Sequence, residues 1–177
     1  PQSPAGVPAV ITADPAEAGF IPLLDADQPG DWVQVGPGKM EIKNGVSTLS
    51  SPSKWGVAIY AKRSFSNFIL KAEFNSGVWL RITDPRADIT QVGDSRYEVG
   101  ICDFRNDLRR ATGAIWGVQP ALKDALKLND WNELEITVTG HRHVVKLNGQ
   151  LVNDFTGNKN LTGYIGLEEN GEPGGGP

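Results

Sequence analysis

The stretch Lys71–Arg81 reads KAEFNSGVWLR and separates into two sets by parity. Even positions carry Ala72, Phe74, Ser76, Val78 and Leu80. Odd positions carry Lys71, Glu73, Asn75, Gly77, Trp79 and Arg81. Period 2 predicts one long strand, kinked at Asn75–Gly77, with an apolar and a polar face. The polar face sets a flat indole among a carboxylate, an amide and a guanidinium. That mixture suits a sugar: the ring stacks on an apolar sugar face and the polar groups take hydroxyls. The same parity puts Glu98 with Gly100 and Cys102, opposite Tyr97, Val99 and Ile101. It puts Gly166 with Glu168, opposite Ile165 and Leu167, and Trp116 with Ala114 and Val118. Laid in one sheet, these segments gather Glu73, Trp79, Arg81, Glu98, Trp116 and Glu168 on one concave surface. Gly77 and Gly100 would leave room above it for a ligand.

The elements that must position these residues are short and β-like. Predicted strands are Phe20–Leu24, Lys39–Ile42 with Val46–Leu49 across an Asn44-Gly45 turn, Trp55–Ala61 and Phe68–Ile82, while Gly30–Val35 brings Trp32. Tyr97–Cys102, Gly113–Val118, Trp131–Thr139, His143–Leu147, Gln150–Val152 and Tyr164–Glu168 follow. Pro120–Leu128 has the only helical spacing. Ten or eleven strands and at most one short helix predict an all-β jelly-roll sandwich of two antiparallel sheets. Residues 1–18 are Pro/Ala-rich and read as a leader or linker, 19–171 as the jelly-roll domain, and 172–177 as a flexible Gly/Pro tail.

Composition narrows the function classes. The chain has 177 residues, enough for one domain with a full core, and a 39% hydrophobic content typical of globular chains. A net charge of −4 argues against a nucleic-acid or anionic-membrane partner. No apolar run approaches the length that spans a membrane. The single Cys102 excludes an internal disulfide and a multi-cysteine zinc site, and reads as a small buried hydrophobe. The leader is consistent with signal removal, so a secreted, periplasmic or extracellular location is expected.

The order of several pieces resembles the 3-keto-disaccharide hydrolase domain family, which has a concanavalin A-like jelly-roll fold. The pieces are GFIPLLD (Gly19–Asp25), NSGVWLR (Asn75–Arg81), YEVGICD (Tyr97–Asp103), TGAIW (Thr112–Trp116), Trp131-Asn132, Gly140, LNG (Leu147–Gly149) and GYIGLEENG (Gly163–Gly171). Against the family pattern, Gly100 stands where Gln is usual, and Glu168 replaces a frequent Gln. The closing aromatic-Arg-Asn strand is absent, leaving an edge for Phe20–Leu24 or the leader to cover.

The resemblance implies cleavage of glycosides already oxidised to a ketone at C3. The ketone acidifies the C2 proton, a base removes it, the C1 substituent departs, and water adds to the enone. Glu98 and Glu168 are the implied base and acid, with Arg81 at the enolate and Trp79 and Trp116 stacked on the sugar. Two carboxylates side by side would separate their roles. Glu73, Asn75, Trp55 and Asp103 complete the implied substrate contacts. A divalent metal could replace Arg81, and Asp103 with loop carbonyls is the candidate calcium position, or a simple cap.

Structural alternatives stand beside each assignment. Glu98 with Arg81 makes an inter-strand ion pair, Glu73 is a solvated strand residue, and Trp116 belongs to the core. Trp32 and Trp131 read as core or edge packing. His141 and His143 read as surface turn residues, although a His-x-His pair can hold a metal. Two function classes therefore remain: an enzyme on (3-keto-)glycosides, and a non-catalytic carbohydrate-binding jelly roll. A polysaccharide lyase on unoxidised substrates is a third reading. All take a carbohydrate, and no obligate protein partner is evident.

Overall fold

The computed structural model describes residues 9–10, 19–24, 29–43, 46–50, 56–74, 77–82, 96–102 and 106–169. Twelve strands run β1 Ala9–Val10, β2 Trp32–Val35, β3 Lys39–Lys43, β4 Val46–Ser50, β5 Gly56–Phe65 and β6 Phe68–Phe74. They continue β7 Gly77–Ile82, β8 Tyr97–Val99, β9 Asn132–Thr139, β10 Arg142–Leu147, β11 Gln150–Thr156 and β12 Gly163–Glu169. All pairings are antiparallel, in a seven-stranded sheet β11-β10-β9-β6-β1-β4-β3 and a five-stranded sheet β2-β5-β12-β7-β8. The chain is an all-β jelly-roll sandwich, as its periodicity predicts. Among the described residues there is no α-helix.

Alternation builds the core. Leu70, Ala72 and Phe74 of β6, Leu134, Ile136 and Val138 of β9, and Val145 and Leu147 of β10 turn inward from the seven-stranded sheet. Ala58 and Tyr60 of β5, Tyr97 and Val99 of β8, and Ile165 and Leu167 of β12 meet them from the other sheet. Two-residue β1 lies between β4 and β6, pairing Ala9 with Ser47 and Val10 with both Val46 and Glu73. Ala9–Val10 therefore join β4-β3 to the other four strands of this sheet.

Three local expectations fail, each for a stated reason. The stretch Lys71–Arg81 is not one strand. It belongs to the seven-stranded sheet through Phe74 and to the five-stranded sheet from Gly77, so one sequence pattern serves both layers. Phe20–Leu24 forms no strand; Leu23 and Leu24 are buried, and the Trp32 indole Nε1 donates to the Leu23 carbonyl at 2.8 Å. Pro120–Leu128 forms no helix, because its amides are used elsewhere. Ala121 N donates to Leu108 O at 2.7 Å and Leu122 N to Val152 O at 2.8 Å. Leu126 N donates to Asp124 Oδ1 and Lys127 N to Asn132 Oδ1. Tertiary partners outcompete a weak helical pattern.

The Asn132 side chain is the polar node of that region. Its Oδ1 accepts from Lys127 N at 2.8 Å and from Asn148 Nδ2 at 2.8 Å, while its Nδ2 donates to Lys127 O and Asp130 O, both at 2.9 Å. Asn148, left-handed at φ 51° in the β10–β11 turn, also donates to Ala125 O and accepts from Glu133 N. The amide is 3% exposed, so removing it strands several buried groups without water. Asn132→Ala is expected to lose about 2–3 kcal/mol in equilibrium urea unfolding with the m-value unchanged. A loss under about 0.5 kcal/mol would show that the network is not a stability determinant.

Candidate functional site

The residues able to do chemistry converge on the outer face of the five-stranded sheet. Tyr97 and Val99 enter the core, so Glu98 faces outward from β8; Ile165 and Leu167 do the same for Gly166 and Glu168 on β12. β7 lies between them. In register, Trp79 pairs with Glu98 on one side and Gly166 on the other, and Gly77 pairs with Glu168. Two strand spacings and two residues of offset place the Glu98 and Glu168 Cα atoms about 12 Å apart. The glutamates share a face, but they are not the side-by-side pair expected; a strand separates them.

Their surroundings differ. Glu168 is 4% exposed and pairs in register with Val57, which forms an outer-face apolar cluster with Ile59, Val35 and Tyr164. Val57 and Ile59 are 1% and 0% exposed, so the β5 half of this face is closed. Glu98 sits nearer the β8 edge, with Oε2 3.7 Å from Nη2 of Arg96, both side chains mostly buried. Arg96 precedes Glu98 by two residues, so period 2 puts it on the same face, a signal the sequence carries beside that of Arg81.

Trp116 completes this edge. Its backbone N donates to Glu98 O at 2.9 Å, Gly100 N donates to Ala114 O, and Gly113 N donates to Gly100 O. The expected strand Gly113–Val118 is therefore two isolated bridges, Val99↔Ile115 and Ile115↔Gln119, because a turn at 115–119 ends the pairing. The indole lies over Gly100, where an added Cβ would meet Trp116 Cε3 at 3.7 Å. Gly100 is thus covered by Trp116 rather than leaving an open space. The ring itself is 43% exposed, which removes it from the core and makes it a platform beside Glu98.

A bulge holds that platform in place. The β10–β11 register shifts between Val145 and Lys146, and both Val152 and Asn153 become buried. Val152 approaches Gly113, whose φ of +90° and missing Cβ permit the contact. Asn153 Nδ2 donates to Gly113 O at 3.0 Å and Pro120 O at 3.3 Å, and its Oδ1 accepts from Gln119 Nε2 at 2.7 Å. The bulge thereby fixes both ends of the loop carrying Trp116.

The remaining candidates divide. Glu73 lies on β6, exposed on the outer face of the seven-stranded sheet and opposite Glu133 in register. It is on the far side of the sandwich from Glu98 and does not join the site. For Trp79 and Arg81, both within β7, the register positions are described. Asn75, Trp55 and Asp103 lie outside the described residues. Trp32 is in the core, whereas Trp131 is 46% exposed. His143 is no surface turn residue: it is 1% exposed, with its ring edge-on to Tyr97 and its Nδ1 3.0 Å from His141 O. Among the described residues no three His, Cys, Asp or Glu side chains form a metal-holding group. Nor, among them, is any helix long and apolar enough to cross a membrane.

The fold has solved relatives. A proposed glycosyl hydrolase from Parabacteroides distasonis superposes with a TM-score of 0.65 at 21% identity, covering 86% of this chain and 92% of its own. A Bacillus subtilis protein with a galectin-like fold gives 0.56 at 14% identity, covering 83% and 86%. The carbohydrate-binding module CBM66 of Bacillus subtilis gives 0.54 at 15% identity, covering 79% and 88%. No curated protein matches the chain. The model of the 3-keto-alpha-glucoside-1,2-lyase-like domain matches residues 19–174, nearly the whole sandwich, and the chain therefore belongs to this carbohydrate-active, 3-keto-disaccharide hydrolase family.

Proposed function

We propose that the protein cleaves 3-keto-glycosides by elimination at the outer face of the five-stranded sheet. The observation that carries this reading is the shared face: Glu98 beside a cation and an exposed indole, with a second, buried carboxyl group across β7. A sugar stacked on Trp116 would lie over Glu98 with its C2–H toward the carboxylate. Glu98 takes the C2 proton, and the electron pair forms an enolate whose charge rests on the C3 oxygen, for which Arg81 is the candidate cation. The pair returns to form the C1–C2 double bond as the C1–O bond breaks. Glu168 supplies the proton that makes the leaving group an alcohol. Water adding to C1 of the enone completes hydrolysis, and release before that addition makes the protein a lyase. Trp79, between Gly166 and Glu98 in the sheet, is the proposed second stacking position. A divalent metal at the enolate is the alternative to Arg81.

Turnover of 3-keto-disaccharides and matched unoxidised disaccharides, with and without EDTA, tests this directly. Cleavage confined to oxidised substrates is expected, and sensitivity to EDTA would assign the enolate to a metal. Glu98→Gln is expected to lower kcat by about 10²–10⁴-fold, with the Kd for the keto-sugar changed by less than about threefold. Sugar binding without turnover in the unmodified protein would make it a binding module, and cleavage of unoxidised polymers would make it a polysaccharide lyase.

The Trp116 platform predicts a separate outcome. Because the ring is exposed, Trp116→Ala should leave the unfolding midpoint within a few degrees while weakening sugar binding by about 1–2 kcal/mol in calorimetry. An unchanged Kd would remove Trp116 from the site.

A further inference from the structure

Strand β8 is only three residues long, yet it carries Glu98. What holds its entrance comes from the opposite sheet. Beyond β11, the segment Gly157–Lys159 crosses to β8 and grips it at three points. Lys159 Nζ donates to Arg96 O at 2.8 Å and stands 5.0 Å above the Tyr97 ring centroid. Asn158 N donates to the Tyr97 hydroxyl at 2.9 Å, and that hydroxyl donates to Asn158 Oδ1 at 3.1 Å. Gly157 lies so close that an added Cβ would overlap the Tyr97 phenol, while its N donates to His141 O at 3.0 Å.

These contacts fix residues Arg96 and Tyr97, the two that precede Glu98. Tyr97 is bound from below by the core and from its hydroxyl by Asn158. The Arg96 carbonyl is bound by Lys159, and the Arg96 guanidinium stands 3.7 Å from the Glu98 carboxylate. A cation at that distance compensates the carboxylate's charge only while the backbone of residue 96 keeps its orientation. We infer that Lys159, acting through Arg96, is a positioning residue for the Glu98 carboxylate. The inference rests on the proposed role of Glu98 for its catalytic consequence but not for its electrostatic one. Lys159 is 63 residues from Arg96 in sequence, so no local pattern reveals the link.

The test follows the Glu98 carboxyl carbon by NMR through a pH titration in the unmodified protein and in Lys159→Met, Lys159→Arg and Arg96→Gln. Displacing the Arg96 cation disfavours the ionised carboxylate, so the Glu98 midpoint should rise by about half a unit or more in Lys159→Met and at least as far in Arg96→Gln. Lys159→Arg, which can still donate to the carbonyl and cover the ring, should restore it. With p-nitrophenyl 3-keto-α-glucoside as substrate, Lys159→Met should lower kcat about tenfold with KM within twofold, and the acid limb of the pH–rate profile should move to higher pH. An unchanged midpoint in Lys159→Met overturns the inference, as does a kcat loss that only tracks a lower melting temperature. A moved midpoint with full turnover in Glu98→Gln would instead uphold the positioning role and defeat the catalytic reading.

Discussion

Burial of the Tyr97 ring between the sheets is the contact on which the candidate site depends. The ring meets His143 of β10 edge-on at 5.3 Å and Phe155 of β11 at 4.9 Å, so the edge strand β11 of the seven-stranded sheet and its neighbour β10 both pack on one residue of β8. Such pairs contribute about 0.5–1.5 kcal/mol each beyond the area they bury. With Tyr97 inward, strand alternation leaves Glu98 no direction but outward. His143 is buried for the same reason, with its ring packed on this one.

A second constraint is built on the first. β8 would be an open sheet edge, but Ile115 and Trp116 pair along it, and Thr112 closes the far end. Its hydroxyl donates to Cys102 O at 2.7 Å and lies 3.1 Å from Cys102 N, which donates to it. This segment is itself hung from the bulge in β11 through Asn153. Both the carboxylate and the platform are therefore placed by strands of the opposite sheet, at the end of the sandwich where β8, β10 and β11 meet.

The parts of this arrangement legible in the sequence are those set by near neighbours. The β9–β10–β11 meander follows from clean alternation and two tight turns, with Gly140 at φ 54° and Asn148-Gly149 at φ 51° and 75°. His143 shares parity with Val145 and Leu147, so its burial was readable there, yet the preceding glycine suggested a turn. Parity sets Glu98 opposite Tyr97 and Val99, and Glu168 opposite Ile165 and Leu167, while their sharing one sheet is an expectation of the fold resemblance. Glu73 was misplaced because parity persists through Lys71–Arg81 while the chain changes sheet, and periodicity carries no information about which sheet a strand joins. The non-helical course of Pro120–Leu128 depends on acceptors at Leu108, Asn132 and Val152, none of them visible in its own spacing.

The family motifs also sort by physics. From Trp131-Asn132 and Leu147-Asn148-Gly149, the Asn132 and Asn148 side chains meet in the amide network under the loop at 124–131 and tie that loop to the sheet. Thr112–Trp116 is different, because it lies along Glu98. Gly100, where the family pattern usually has Gln, is enclosed by Ala114 O and Trp116 Cε3 at 3.7 Å and Ala111 O at 3.9 Å from where a Cβ would stand. A methyl group fits that space at ordinary contact distance. Gly100 is thus enclosed by the same segment, Ala111 to Trp116, that pairs along β8 beside Glu98.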